Sequence, residues 1–249
     1  MTTGDKSAGD CGIVYIVSGD FHAAAATKSA KSARATNPWL SLDIFSDCDV
    51  EPGVFDRVVT FEKGHLRSKI DHLPESRFAR SLYLDSDTRV VADLKPMFGI
   101  LDRFDIALAH GHKRNGTRQN IFWREPIPDA FPQLNGGVIL YRSTPEVVRF
   151  LADWKTAYHT AGFKWDQVTL RELVWKSDLR LFVLPPEYNV RYSKYLTVWS
   201  ADEAEPKILH FAEFYDATAK IPGVAKRKDG RLQDMLKWGA KSLLALRKK

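Results

Sequence analysis

Cysteine is scarce. Only Cys11 and Cys48 occur in 249 residues, too few for a disulfide framework and better suited to a reducing compartment. Long apolar runs are missing too: no window approaches the roughly eighteen uncharged apolar residues that a membrane span needs. The opening "MTTGDKSAGDCG" lacks the basic and apolar regions of a signal peptide. A cytoplasmic chain is the expectation. Neither G-x-G-x-x-G nor G-x-x-x-x-G-K-[ST] occurs, so dinucleotide and P-loop readings lack their fingerprints. No internal repeat or low-complexity tract is found.

What is present is an ordinary apolar content of 44%, enough for a packed core, in a length that suits one larger α/β domain or two small ones. The net charge of +6 is unevenly placed. Residues 226–249 hold nine of the 37 Lys/Arg and two of the 31 Asp/Glu, which makes this tail +7 and leaves the remainder at −1. A neutral body argues against a nucleic-acid groove across it. On a helical wheel Leu232, Met235, Leu236, Leu243 and Leu246 share a face, with Lys237, Lys241 and Lys248 opposite. That pattern suits an anionic membrane surface, or equally a terminal helix packed on its own domain. Gly239 interrupts it.

Along the chain, residues 1–11 read as a mobile polar leader. "IVYIV" (13–17), "SLDIFS" (41–46), "RVVTF" (57–61) and "SLYL" (81–84) read as strands, "HAAAATKSAKSARAT" (22–36) as a helix and 64–79 as a helix or turn-helix. The order predicts an open, mostly parallel sheet with helices on its faces, which binds ligands outside the C-terminal strand ends. Strands at 105–109, 134–141, 180–184 and 207–211 and helices at 145–159 and 165–176 follow. The stretch 110–133 has weak periodicity and reads as a functional loop.

Asp85 and Asp87 stand directly after "SLYL". A bare D-x-D is most simply a surface turn. A calcium loop needs Gly at its sixth position, which is Val90 here. The D-x-D-x-T start of a haloacid-dehalogenase-like phosphatase, with Asp85 as nucleophile, needs Thr where Arg89 stands.

The company of the pair is more specific. "YLDSDTRVVADLKPMF", "LNGGVILY", "WDQVTL" and "KILHF", in that order, resemble nucleotide-diphospho-sugar glycosyltransferases of the GT-A fold, related to glycosyltransferase family 8. The resemblance runs from residue 13 to about 211. It implies a Rossmann-like GT-A domain over 12–222, followed by the basic amphipathic tail, 223–249. It also implies Mn²⁺ or Mg²⁺ bound to the diphosphate of a nucleotide sugar. Physically, a hard divalent cation bridges two carboxylates to a diphosphate that they would otherwise repel.

By resemblance Asp87 is a metal ligand and Asp85 a ligand to the metal or a partner of the donor ribose or sugar. Ser86 lies at the ribose, and His210 is the third ligand, imidazole being acceptable to a borderline metal. Asn135, Gly136 and Gly137 line the donor-sugar pocket, paired glycines permitting close approach. Asp166 binds sugar hydroxyls and Gln167 sits near the anomeric carbon, although a carboxylate at a helix start is also favoured by the helix dipole. Val17, Ser18 and Gly19 lie near the base, Asp47 at the uracil edge, Lys69 at the diphosphate or base, and Arg191 at acceptor or phosphate.

The function implied is hexose transfer, with retention by a front-face route, from a UDP-sugar to a glycan or lipid-linked acceptor at the cytoplasmic membrane face. A sugar-nucleotide-binding paralogue without turnover is the alternative.

Overall fold

The computed structural model describes residues 10–114 and 116–215. Most of the leader and the whole basic tail lie outside the described residues. The strands are β1 (Cys11–Val17), β2 (Ser41–Ser46), β3 (Arg57–Thr60), β4 (Arg80–Leu84), β5 (Thr88–Val90), β6 (Ile106–His110), β7 (Leu134–Arg142), β8 (Leu181–Leu184) and β9 (Ile208–His210). The helices are α1 (Asp20–Thr36), α2 (Lys69–His72), α3 (Lys95–Phe98), α4 (Pro145–Ala161), α5 (Gln167–Lys176) and α6 (Tyr195–Val198). Cys11 already pairs with Arg80 in the sheet, so the expected leader ends one residue early. Of the helix or turn-helix expected over 64–79, the structure shows the turn-helix form, with α2 followed by a 3-10 turn at Leu73–Glu75, where Pro74 supplies no backbone N–H to continue the ladder.

Seven strands form one sheet in the order β3-β2-β1-β4-β7-β6-β8, and β5 and β9 pair separately. Every neighbouring pair is parallel except those made by β7, which runs against β4 and β6. The reversal matters for function: the start of β7, "LNGG", falls at the edge where β4 ends.

Alternate residues of β1 divide the core. Ile13, Tyr15 and Val17 pack with α1 on one face, while Val14 and Ile16 join α4 and α5 on the other. Helix α1 meets the sheet through Ala23, Ala26, Ala30 and Ala33, whose methyl groups permit close approach. Its Ser32 hydroxyl accepts from Val90 N–H at 2.9 Å, and its Ser29 hydroxyl lies 2.7 Å from Thr88 Oγ1. Thus α1 grips β5 just beyond the D-x-D turn. Helix α4 starts at a Thr144 cap followed by Pro145 and ends at Gly162, whose φ of 70° suits glycine.

Candidate active site

Two registers build the site. Across β4 and β7, Leu84 pairs with Val138, and Asp85 N–H donates to the Gly137 carbonyl at 2.8 Å. Across β5 and β9, Thr88 pairs with His210, and Phe211 N–H donates to the Asp87 carbonyl at 3.0 Å. Asp85, Asp87 and His210 therefore converge from three strand ends, with one candidate donor atom each within 4.8 Å of the others. His210 Nε2 lies 3.2 Å from Asp87 Oδ1 and 3.6 Å from Asp85 Oδ2. Asp87 Oδ1 is buried without a hydrogen bond among the described residues. The glycine at 137 keeps the space open: a Cβ there would overlap His210 Cε1 and lie 2.5 Å from Asp85 Oδ2.

The tautomer of His210 follows from its neighbours. Arg191 NH1 lies 2.6 Å from Nε2, and a guanidinium can only donate, so Nε2 carries the lone pair. Nδ1 then holds the proton and gives it to Asn189 Oδ1 at 2.8 Å. Asn189 Nδ2 donates in turn to Asn135 Oδ1 at 2.9 Å, which also accepts Gly137 N–H at 3.1 Å. An imidazole held at Nδ1 by Asn189, with Nε2 beside two carboxylates, is how a metal-ligating histidine is presented, and a cation at Nε2 would take the place of the Arg191 N–H there. A mixed carboxylate and imidazole set suits Mn²⁺ or Zn²⁺ as well as Mg²⁺. These residues fit the implied metal.

A second cluster lies beside the first. Lys69 is buried, with Nζ 2.7 Å from the Gly136 carbonyl, 3.2 Å from Asp85 Oδ1 and 3.3 Å from Asp166 Oδ2. Arg67 Nε faces Asp166 Oδ1 at 3.4 Å, and the Tyr83 hydroxyl donates to Asp85 Oδ1 at 2.6 Å. Burial pushes the Asp85 carboxyl up, but the Lys69 ammonium and Tyr83 hydroxyl help leave it well below the usual range. Asp166 does not cap α5 with its side chain; its carboxylate points to Lys69, Arg67 and the space over Gly136. Gln167 opens α5 and is half-buried.

The structure thus brings together Asp85, Asp87, His210, Asn135, Gly136, Gly137, Lys69, Asp166 and Arg191. Three of the expected residues hold partners within the chain. Asn135 Oδ1 accepts from Asn189 Nδ2 and Gly137 N–H. Lys69 is an internal counter-ion between two carboxylates. Asp47 knots loops: its carboxylate accepts from Ser18 Oγ at 2.5 Å, Gly19 N–H at 2.7 Å and Gly64 N–H at 2.9 Å. Val17 and Ser86 line the adjoining cleft with Arg67, Tyr83, His22 and Tyr215.

Sequence reasoning missed Arg67, Tyr83 and Asn189. Two of them carried a signal, for Tyr83 precedes Asp85 by two residues on the same side of a strand and Asn189 precedes Arg191 by two.

The sheet order, the single reversed strand and the D-x-D turn at a C-terminal strand edge define a GT-A glycosyltransferase fold. The nucleotide-diphospho-sugar transferase family model matches residues 79–222, more than half of the chain, and the chain belongs to that family. It is a glycosyltransferase. No match to a curated protein was found. Among solved structures the chain is similar to the glycosyltransferase GlyE of Streptococcus pneumoniae TIGR4 (17% identity, TM-score 0.59), covering 94% of this chain but 62% of GlyE. It is similar to the galactosyltransferase LgtC, solved with donor and acceptor sugar analogs (15% identity, TM-score 0.59), over 94% and 95% of the two chains. Mouse xyloside xylosyltransferase 1 is similar at 14% identity and TM-score 0.51, over 83% and 99%. At these identities the likeness is one of fold.

Proposed function

We propose that this chain transfers a hexose from a UDP-sugar, with retention, to a glycan or lipid-linked acceptor, using a divalent metal held by Asp85, Asp87 and His210. The observation that carries the reading is the convergence of His210 Nε2 with the Asp85 and Asp87 carboxylates, while Nδ1 is held 2.8 Å from Asn189 Oδ1. A bound divalent cation would tie a diphosphate to this acidic edge and offset charge on it as it leaves.

The remaining roles are those of the chain's own groups. Asp47 fixes Ser18, Gly19 and Gly64 at the nucleotide end of the cleft. Gly136 and Gly137 let the sugar lie against backbone. Asp166 accepts sugar hydroxyls. It makes a poor nucleophile, because Lys69 and Arg67 both draw on its charge. Gln167 presents an uncharged amide, which orients rather than attacks. A front-face route that retains configuration suits this arrangement better than double displacement.

The decisive experiment is hydrolysis of a panel of UDP-sugars with and without Mn²⁺. Metal-dependent release of UDP, lost in Asp87→Ala, is expected. Tight UDP binding without transfer to water or any acceptor would favour a binding paralogue. The +7 charge of residues 226–249 supports attachment to an anionic membrane on the cytoplasmic side. Vesicle binding that survives deletion of 226–249 would refute it.

A further inference from the structure

His65, Asp71 and His159 form a second cluster whose candidate donor atoms lie within 4.8 Å of one another. They come from three elements: the segment after Gly64, α2 and α4. His65 Nε2 is 2.5 Å from Asp71 Oδ2, and His159 Nε2 is 2.7 Å from Asp71 Oδ1. The histidine side chains are 40% and 47% exposed and that of Asp71 16%, so water can complete a coordination shell. Donor atoms bound at about 2.0–2.1 Å to a tetrahedral ion sit roughly 3.4 Å apart. Small rotations of two exposed rings reach that spacing. Lys155 Nζ, 3.8 Å from Asp71 Oδ1 and 45% exposed, is the opposing charge and has solvent to move into.

We propose that His65, Asp71 and His159 are a second metal site, distinct from the D-x-D centre, that takes a borderline transition ion such as Zn²⁺. Two imidazoles and one carboxylate are the donor set that Zn²⁺ prefers, whereas Mg²⁺ favours all-oxygen shells. The site would clasp the 65–68 segment, part of the cleft wall, to α4.

Binding has a local consequence. Arg67 N–H donates to His65 Nδ1 at 3.2 Å, so the neutral ring holds its proton on Nε2. To ligate through Nε2 the ring gives up that proton to solvent and takes one up at Nδ1. Arg67 N–H then loses its acceptor, and the side chain of Arg67 is the one that faces Asp166.

The test is Zn²⁺ titration of the metal-stripped full chain by calorimetry, with His159→Gln, His65→Gln and Asp87→Asn in parallel. One binding step is expected to weaken at least about tenfold in both histidine variants and to persist in Asp87→Asn. Amide exchange at Arg67 should quicken with Zn²⁺ in the wild type and stay unchanged in His159→Gln. The proposal is overturned if the histidine variants bind Zn²⁺ as the wild type does. It also fails if the only step present is the one that Asp87→Asn removes, or if no step is present, in which case Asp71 is an ion-pair partner only.

Discussion

His210 gives its Nδ1 proton to Asn189 Oδ1 at 2.8 Å, and Asn189 gives an amide proton to Asn135 Oδ1 at 2.9 Å. This relay fixes which imidazole nitrogen faces the carboxylates. Asn189→Ala should therefore weaken Mn²⁺ binding by about 10–100-fold while leaving the sheet intact. Mn²⁺ titration with circular dichroism of the same samples checks it. Unchanged affinity would mean that Arg191 alone sets the tautomer.

Gly136 and Gly137 are adjacent, yet substitution should affect them unequally. A Cβ at 137 would overlap His210 and press on Asp85 Oδ2, whereas one at 136 meets Asp166 Oδ2 at 3.2 Å and Lys69 Nζ at 3.5 Å. Gly137→Ala should cost about 1–3 kcal/mol by overpacking and weaken metal binding at least about tenfold. Gly136→Ala should retain the metal and lose donor affinity instead. Thermal melts and separate titrations with Mn²⁺ and UDP-sugar distinguish the two.

The sheet was legible because its strands are short β-rich apolar runs and its long helices carry alanine or amphipathic spacing. The D-x-D turn could be placed because ligands gather at C-terminal strand ends. The reversal of β7 was not legible: "LNGGVILY" reads alike in either direction. Without that reversal nothing brings Gly137 beside Asp85. Nor could sequence assign Lys69, since a lysine before a strand reads as solvated until burial against two carboxylates is seen. Asp47 was singled out for the uracil edge by resemblance alone, whereas its three donors come from residues 18, 19 and 64, a convergence that no local pattern encodes.

Lys69 lies between Asp85 and Asp166, and its side chain is 6% exposed. Lys69→Met keeps the volume and removes the charge, leaving the buried Asp166 and the part-exposed Asp85 with less compensation. Loss of one partner from a buried pair costs about 3–5 kcal/mol, a fall in Tm of roughly 10 °C for a chain of this size. Mn²⁺ should recover part of that loss, because a cation at Asp85 replaces the missing one. A melting temperature unmoved by the substitution would show that the pair only balances its own desolvation.

Glu172 fastens the 123–125 segment to α5. Its side chain is 1% exposed, and Oε2 accepts from the backbone N–H groups of Trp123, Arg124 and Glu125 at 3.1, 2.8 and 3.4 Å. Burial raises its carboxyl, but the Arg124 and Glu125 N–H groups and Lys176 outweigh it, so it lies below its ordinary 4.5. A carboxyl depressed by folding stabilises fully above its ordinary value, and that contribution is lost as pH falls through the folded one. Protection of amides 123–125 should hold from neutral pH down past the ordinary carboxyl value of 4.5 and be lost only as pH falls through the lowered folded value. Glu172→Gln keeps an oxygen acceptor without the charge, so it should lose about 1 kcal/mol and the pH dependence together. The consequence reaches the chemistry through Arg118 of the same loop, whose guanidinium stacks 3.5 Å over the ring of Trp165, the residue before Asp166. Releasing the loop should thus raise KM for the donor more than it lowers kcat. The opposite split would place Glu172 outside the path to the cleft.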